Sequence, residues 1–139
     1  MSDVERLKVE IATPERVMLE EEADMVEAPG SSGEFGLLPG HVAFLTTLRH
    51  GEIRLITQGK TRFIATSGGF AEVVDDKVTL LLDTAEFAEE IDLDRAHKAR
   101  ERAESALKGL TFEHAEYQAF EAALLRAITR ISTAARSER

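Results

Sequence analysis

Gly51-Glu52-Ile53-Arg54-Leu55-Ile56-Thr57-Gln58-Gly59-Lys60-Thr61-Arg62-Phe63-Ile64-Ala65 holds two alternating segments around a glycine turn. Ile53 and Leu55 alternate with polar residues on one side, and Phe63 and Ala65 do so on the other. That period of two places successive side chains on opposite faces of a strand. Gln58-Gly59-Lys60 between the segments is a turn signal, so the stretch reads as a β-hairpin. The same grammar extends outward. Leu7, Val9 and Ile11 alternate near the N-terminus, and turn signals recur at His50-Gly51, Ser67-Gly68-Gly69 and Asp75-Asp76. Short strands at close spacing, with almost no helical period, predict an antiparallel sandwich or barrel.

The composition then changes. Eight of the nine glycines and all three prolines lie in the first 85 residues, with Gly109 the exception, while alanine rises from 7 there to 12 in the last 54. A boundary near Thr84 to Ile91 follows, with a β-domain over 1–85 and two antiparallel helices forming a hairpin over 86–139. Leu93, Ala96, Ala99, Ala103, Ala106 and Leu107 recur at helical spacing, and Gly109 suits a left-handed position after a helix end. Thr111 is placed to cap a second helix, whose face carries Ala115, Ala119, Ala123, Ala127 and Ile131 beside Phe120, Leu124 and Ile128. At ~25 cal/mol per Å² an alanine seam holds less tightly than a leucine one, so the hairpin can be docked and released.

With 139 residues, 43 % of them hydrophobic, the chain suits one small domain with an appendage rather than a large enzyme fold. A net charge of −9 opposes binding to nucleic-acid phosphates, and the lack of cysteine excludes disulfides and thiolate chemistry. No apolar run reaches the length of a signal peptide or a membrane span, which predicts a cytosolic or membrane-peripheral protein whose membrane link runs through partners.

No catalytic constellation and no metal site emerge. Gly59-Lys60-Thr61 resembles the end of a phosphate-binding loop, but Arg54 stands where that loop needs glycine, so a hairpin turn is the better reading. His41, His50, His97 and His114 have no metal-ligand spacing and suit solvated or capping roles.

Two segments carry information. Gly33-Glu34-Phe35-Gly36-Leu37-Leu38-Pro39-Gly40-His41 is either a partner-docking loop or a long loop whose Phe35 and Leu37 pack inward. Ile91-Asp92-Leu93-Asp94-Arg95-Ala96 opens the first helix. For a hairpin that turns at about residue 111, helix geometry sets Arg126 opposite Ala96 and Arg130 opposite Asp92. The acids then either pair with the arginines across the seam, at ~0–1 kcal/mol each, or the arginine forks form a polyanion site.

The glycine-proline-glycine-histidine segment, then Gly68-Gly69-Phe70 before Val73-Val74, then an alanine-rich hairpin, resembles the epsilon subunit of bacterial rotary F-type ATP synthases over the whole chain. The resemblance implies a ten-stranded flattened sandwich on the central-stalk rotor, bound to the gamma subunit and the c-ring, on the cytoplasmic face of the bacterial inner membrane. It implies a non-catalytic subunit that couples proton flow to ATP synthesis, and a hairpin that meets the catalytic alpha and beta subunits and inhibits hydrolysis. It also implies c-ring contact through Glu34, Phe35, Gly36, Leu37, Leu38, Pro39, Gly40 and His41. No cofactor is required, but ATP as a regulatory ligand is implied by the intact Ile91, Asp92, Arg95 and Ala96 motif, with Glu86, Arg126 and Arg130. The alternative is a free-standing β-sandwich ligand-binding module with a helical dimerisation arm. A stand-alone ATPase lacks its phosphate loop.

Overall fold

The computed structural model describes residues 5–137; expectations for 1–4, 138 and 139 lie outside the described residues. Ten strands come first: β1 Leu7–Ala12, β2 Val17–Ala23, β3 Met25–Gly30, β4 Gly33–Leu37, β5 Phe44–Leu48, β6 Gly51–Thr57, β7 Lys60–Thr66, β8 Gly69–Val74, β9 Lys77–Leu82 and β10 Ala85–Phe87. A short 3-10 turn at Ala88–Glu90 leads into α1 Leu93–Lys108 and α2 Tyr117–Ser137. The sandwich with a helical hairpin expected from the sequence is therefore the observed architecture.

The hairpin at 51–66 forms in the register its pattern demands, with Ile53 facing Ile64 and Thr57 facing Lys60. Gln58 and Gly59 occupy its two-residue loop with φ of 52° and 79°, so Gly59-Lys60-Thr61 is a tight turn and not a phosphate cradle. The strands form one sheet in the order β10-β7-β6-β3-β5-β8-β9-β1-β2, with β4 on the far edge of β3. Pairing is antiparallel throughout except between β1 and β9.

The sheet curls until its β2 end meets the β6–β7 hairpin. There the Gln58 N–H donates to Asp24 at 2.7 Å, and Arg62 pairs with Glu21 at 2.7 Å. Inside this nearly closed barrel lie Leu7, Ile11, Val26, Leu37, Ile53, Ile64, Val73, Val78 and Leu80, all fully buried. Each large aliphatic side chain here contributes roughly 1.5–3 kcal/mol by burial.

Asp92 caps α1 by accepting from the Arg95 N–H at 3.1 Å. Ala96 and Ala103 are buried on α1 and Ala127 on α2, so small residues form the seam as expected, while Ala134 packs with Ala65 of the sandwich and Ile91. The far turn departs from expectation in three ways. Gly109 has φ −94°, not a left-handed value, because the chain leaves α1 through a 3.1 Å Leu110 N–H to Leu107 carbonyl bond. The second helix begins at Tyr117, where the ring Nδ1 of His114, rather than Thr111, accepts a 3.1 Å bond from the Glu116 N–H. Ala115 consequently lies outside the helix, and Ala119 and Ile128 face solvent.

Because Gly109 needs no positive φ and a Cβ there meets open space, Gly109→Ala should raise stability by about 0.5 kcal/mol. Thermal unfolding followed by circular dichroism checks this. A clear loss would show that the turn does require glycine.

Candidate functional site

Between the hairpin and the sandwich lies a cleft of about 490 Å³. Its floor is the end of β7 with Ser67, plus Thr84 and Glu86 from the β9–β10 region. One wall is Ala99, Arg102 and Ala103 of α1, and the other is Phe120, Ala123, Arg126, Ala127, Thr129 and Arg130 of α2. The alanines leave the space, and the arginines and hydroxyls line it.

Its charges are not equivalent. Arg130 grips Glu86 as a fork, with Nε to Oε1 at 2.6 Å and Nη2 to Oε2 at 3.2 Å. Arg102 and Arg126 have no ion-pair partner among the described residues, so the cleft holds two guanidinium groups, one per helix, that no carboxylate neutralises. A second anchor lies outside the cleft. Glu52 on β6, whose side chain is only 10 % exposed, takes Arg136 of α2 at 3.0 Å and Arg54 of its own strand at 3.1 Å. Its hydrogen bond raises the Arg54 pKa above the ordinary arginine value. Arg136 also sits over the Phe63 ring at 5.6 Å.

The expected nucleotide set is divided by the fold. Glu86, Arg126 and Arg130 line the cleft, whereas Ile91, Asp92, Arg95 and Ala96 do not. Ile91 packs with Ala65 and Ala134, Asp92 is the helix cap, Ala96 is buried in the seam, and Arg95 is exposed. The expected level pairing of Arg126 with Ala96 and Arg130 with Asp92 is corrected as well. The connection from Lys108 to Tyr117 is longer than a turn at 111, which slides the helices by about three residues and sets Arg126 level with Ala99. Arg102 was not among the expected residues. Its signal was its place between Ala99 and Ala103 on the alanine stripe.

The other segment, Glu34 to His41, is half strand. Leu37 is fully buried and Phe35 packs edge-on against Phe44 at 5.5 Å, so these two side chains serve the core. Glu34, Gly36, Leu38 and Gly40 are exposed, and Pro39 and His41 are partly so. The Gly40 N–H is tied to Asp76 at 2.7 Å, and the His41 ring lies tilted against Phe44 with centroids 5.0 Å apart. Next to them Val42 and Leu45, neither expected from the motif, are strongly exposed. On the outer face of the sheet, register aligns Thr47, Phe70, Leu81, Ala12 and Val17 across five strands. Phe70, Leu81 and Val17 there are 51 %, 54 % and 53 % exposed. Contiguous apolar exposure of this kind is a feature of partner-binding surfaces in general.

Comparison with known proteins matches residues 6–88 to the family described as ATP synthase, Delta/Epsilon chain, beta-sandwich domain. Residues 89–135 match the long alpha-helix domain of the same chain. The ATP synthase epsilon chain of Geobacter metallireducens is 50 % identical over 135 residues, covering 97 % of this chain and 98 % of its own length. That of Citrifermentans bemidjiense is 48 % identical over the same span. A chain in the cryo-EM structure of the Euglena gracilis mitochondrial ATP synthase OSCP/F1/c-ring superposes with a TM-score of 0.79 at 25 % identity, covering 96 % of this chain and 82 % of that one. A chain of the Tetrahymena thermophila mitochondrial central stalk and c-ring shares the fold, with a TM-score of 0.59 at 14 % identity.

Proposed function

Since this chain belongs to the delta/epsilon family of ATP synthase chains, we propose that it is a central-stalk rotor part whose helical hairpin is a releasable brake on ATP hydrolysis, set by ATP in the cleft. It is a non-catalytic subunit of the ATP synthase complex. Membership of that complex sets aside the free-standing ligand-binding module with a dimerisation arm.

In this reading the sandwich docks the gamma subunit through the exposed row of Phe70, Leu81 and Val17. Glu34, Leu38 and the neighbouring Val42 meet the polar loops of the c-ring. Among the described residues no helix is long and apolar enough to cross a membrane, and attachment to the cytoplasmic face of the bacterial inner membrane runs through those partners. The released hairpin carries its arginines to the catalytic alpha and beta subunits.

The observation that carries the regulatory part is the pair of uncommitted guanidiniums, Arg102 on α1 and Arg126 on α2, facing one cleft. A triphosphate that bridges them has high affinity only while the helices lie together, which is the differential affinity a population shift requires. A coupling of ~1–3 kcal/mol moves the balance about 5- to 150-fold. Titration calorimetry of the isolated chain with ATP tests it. Arg126→Ala should weaken binding at least about tenfold, the effect of losing one charge-assisted fork, while Lys98→Ala on the exposed side of α1 should change nothing. No binding by the unmodified chain at millimolar ATP would remove nucleotide from the account.

A further inference from the structure

The β5–β6 turn carries His50, whose Nε2 is buried and has no hydrogen-bond partner among the described residues. A neutral imidazole can leave one nitrogen as a bare acceptor. An imidazolium has an N–H on both, so protonation here strands a buried donor. Two charged groups lie near enough to act on the ring electrostatically: Arg126 from α2, and Asp83 just after β9. Burial and then Arg126 disfavour the cation, Asp83 favours it, and the first two prevail, so the His50 pKa is lowered from 6.5.

We propose that His50 is a proton-operated release for the hairpin: an imidazolium at this turn stands against the Arg126 guanidinium and drives α2 away from the sandwich. The proposal rests on the reading that the hairpin docks and releases, and adds the condition that trips it. When α2 leaves, the repulsion from Arg126 goes with it, so the released form binds the proton more tightly. Docking is then at full strength above the ordinary histidine value of 6.5 and weakens as pH falls through and below it. One proton limits the change to about tenfold per pH unit.

The chain has no cysteine, so a label pair at Lys60→Cys and Ser132→Cys, both exposed, reports the distance between sandwich and α2 in the full chain. Between pH 8 and 5.5 the released fraction should rise as pH falls through and below about 6.5, by no more than about tenfold per unit. His50→Gln should abolish that rise and keep the docking seen at pH 8. A pH response unchanged in His50→Gln overturns the proposal. So does a flat response in the unmodified chain when Glu52→Ala, which removes the second anchor, shows that the hairpin can open. A hairpin docked at every pH and also in Glu52→Ala overturns the release reading beneath it.

Discussion

Gly69→Ala should cost about 4 kcal/mol, the sum of a backbone held in a region closed to side chains and an overpacked contact. Gly69 opens β8 at φ +150°, and a Cβ there would overlap the Leu81 carbonyl oxygen, with the Leu82 Cα only 2.9 Å away. Both obstacles are backbone of the paired strand, so no rotamer change relieves them; β8 and β9 must separate where Gly69 faces Leu82. Against a total of ~5–15 kcal/mol for a domain of this size, this is a large fraction. Circular dichroism should show the melting temperature falling by roughly 10–20 °C. Gly33→Ala separates the two causes, because Gly33 has φ +136° but open space where its Cβ would point. It should show the smaller, conformational loss alone. Equal losses at the two sites would mean that the clash contributes nothing.

Glu52→Ala should be the most disruptive single change to the docked hairpin. One carboxylate serves two guanidiniums, and removing it leaves Arg54 to Glu27 and Glu34 on the sheet while Arg136 on the helix is set against Arg54 with no carboxylate between them. Both arginines are partly exposed, so solvent screening reduces the loss to about 2 kcal/mol, or roughly thirty-fold in the docking equilibrium. Arg136→Ala should cost less, since Glu52 then keeps Arg54. Hydrogen exchange at the α2 amides, compared between the two variants, measures this order. The reverse order would mean that the Arg136 guanidinium over Phe63, rather than the shared carboxylate, anchors the helix.

The β-hairpin at 51–65 was legible because alternation and turn chemistry agree, and both are local. The division into strands and helices was legible for the same reason: glycine and proline give way to alanine. What escaped were features set at a distance. Three residues, Ala85 to Phe87, are too few for a period, and become a strand only because β7 offers them an edge. Reading Thr111 as the cap by residue type sets Arg126 at the wrong level on the hairpin, because the chain spends several more residues turning before α2 begins at Tyr117. The motif beginning at Ile91 was read as binding chemistry. In the fold Ile91 and Ala96 are buried and Asp92 caps α1, while Arg126 of the same expected set lines the cleft together with Arg102, which no motif marks.

The parallel ladder of β1 and β9 joins residues about seventy positions apart, Lys8 with Lys77 and Ile11 with Leu80. Closing so long a loop costs entropy before any contact rewards it, and pairings of this kind slow folding. During synthesis at ~5–20 residues per second, β1 and β2 are made first and must wait several seconds for their partner. Until β9 arrives, Leu7, Val9 and Ile11 have only half of their shelter, and the acidic run Glu20-Glu21-Glu22 along β2 keeps that waiting edge from recruiting another nascent chain. The helices follow last. The segment that leans on the sandwich is thus the last part of the chain to be made.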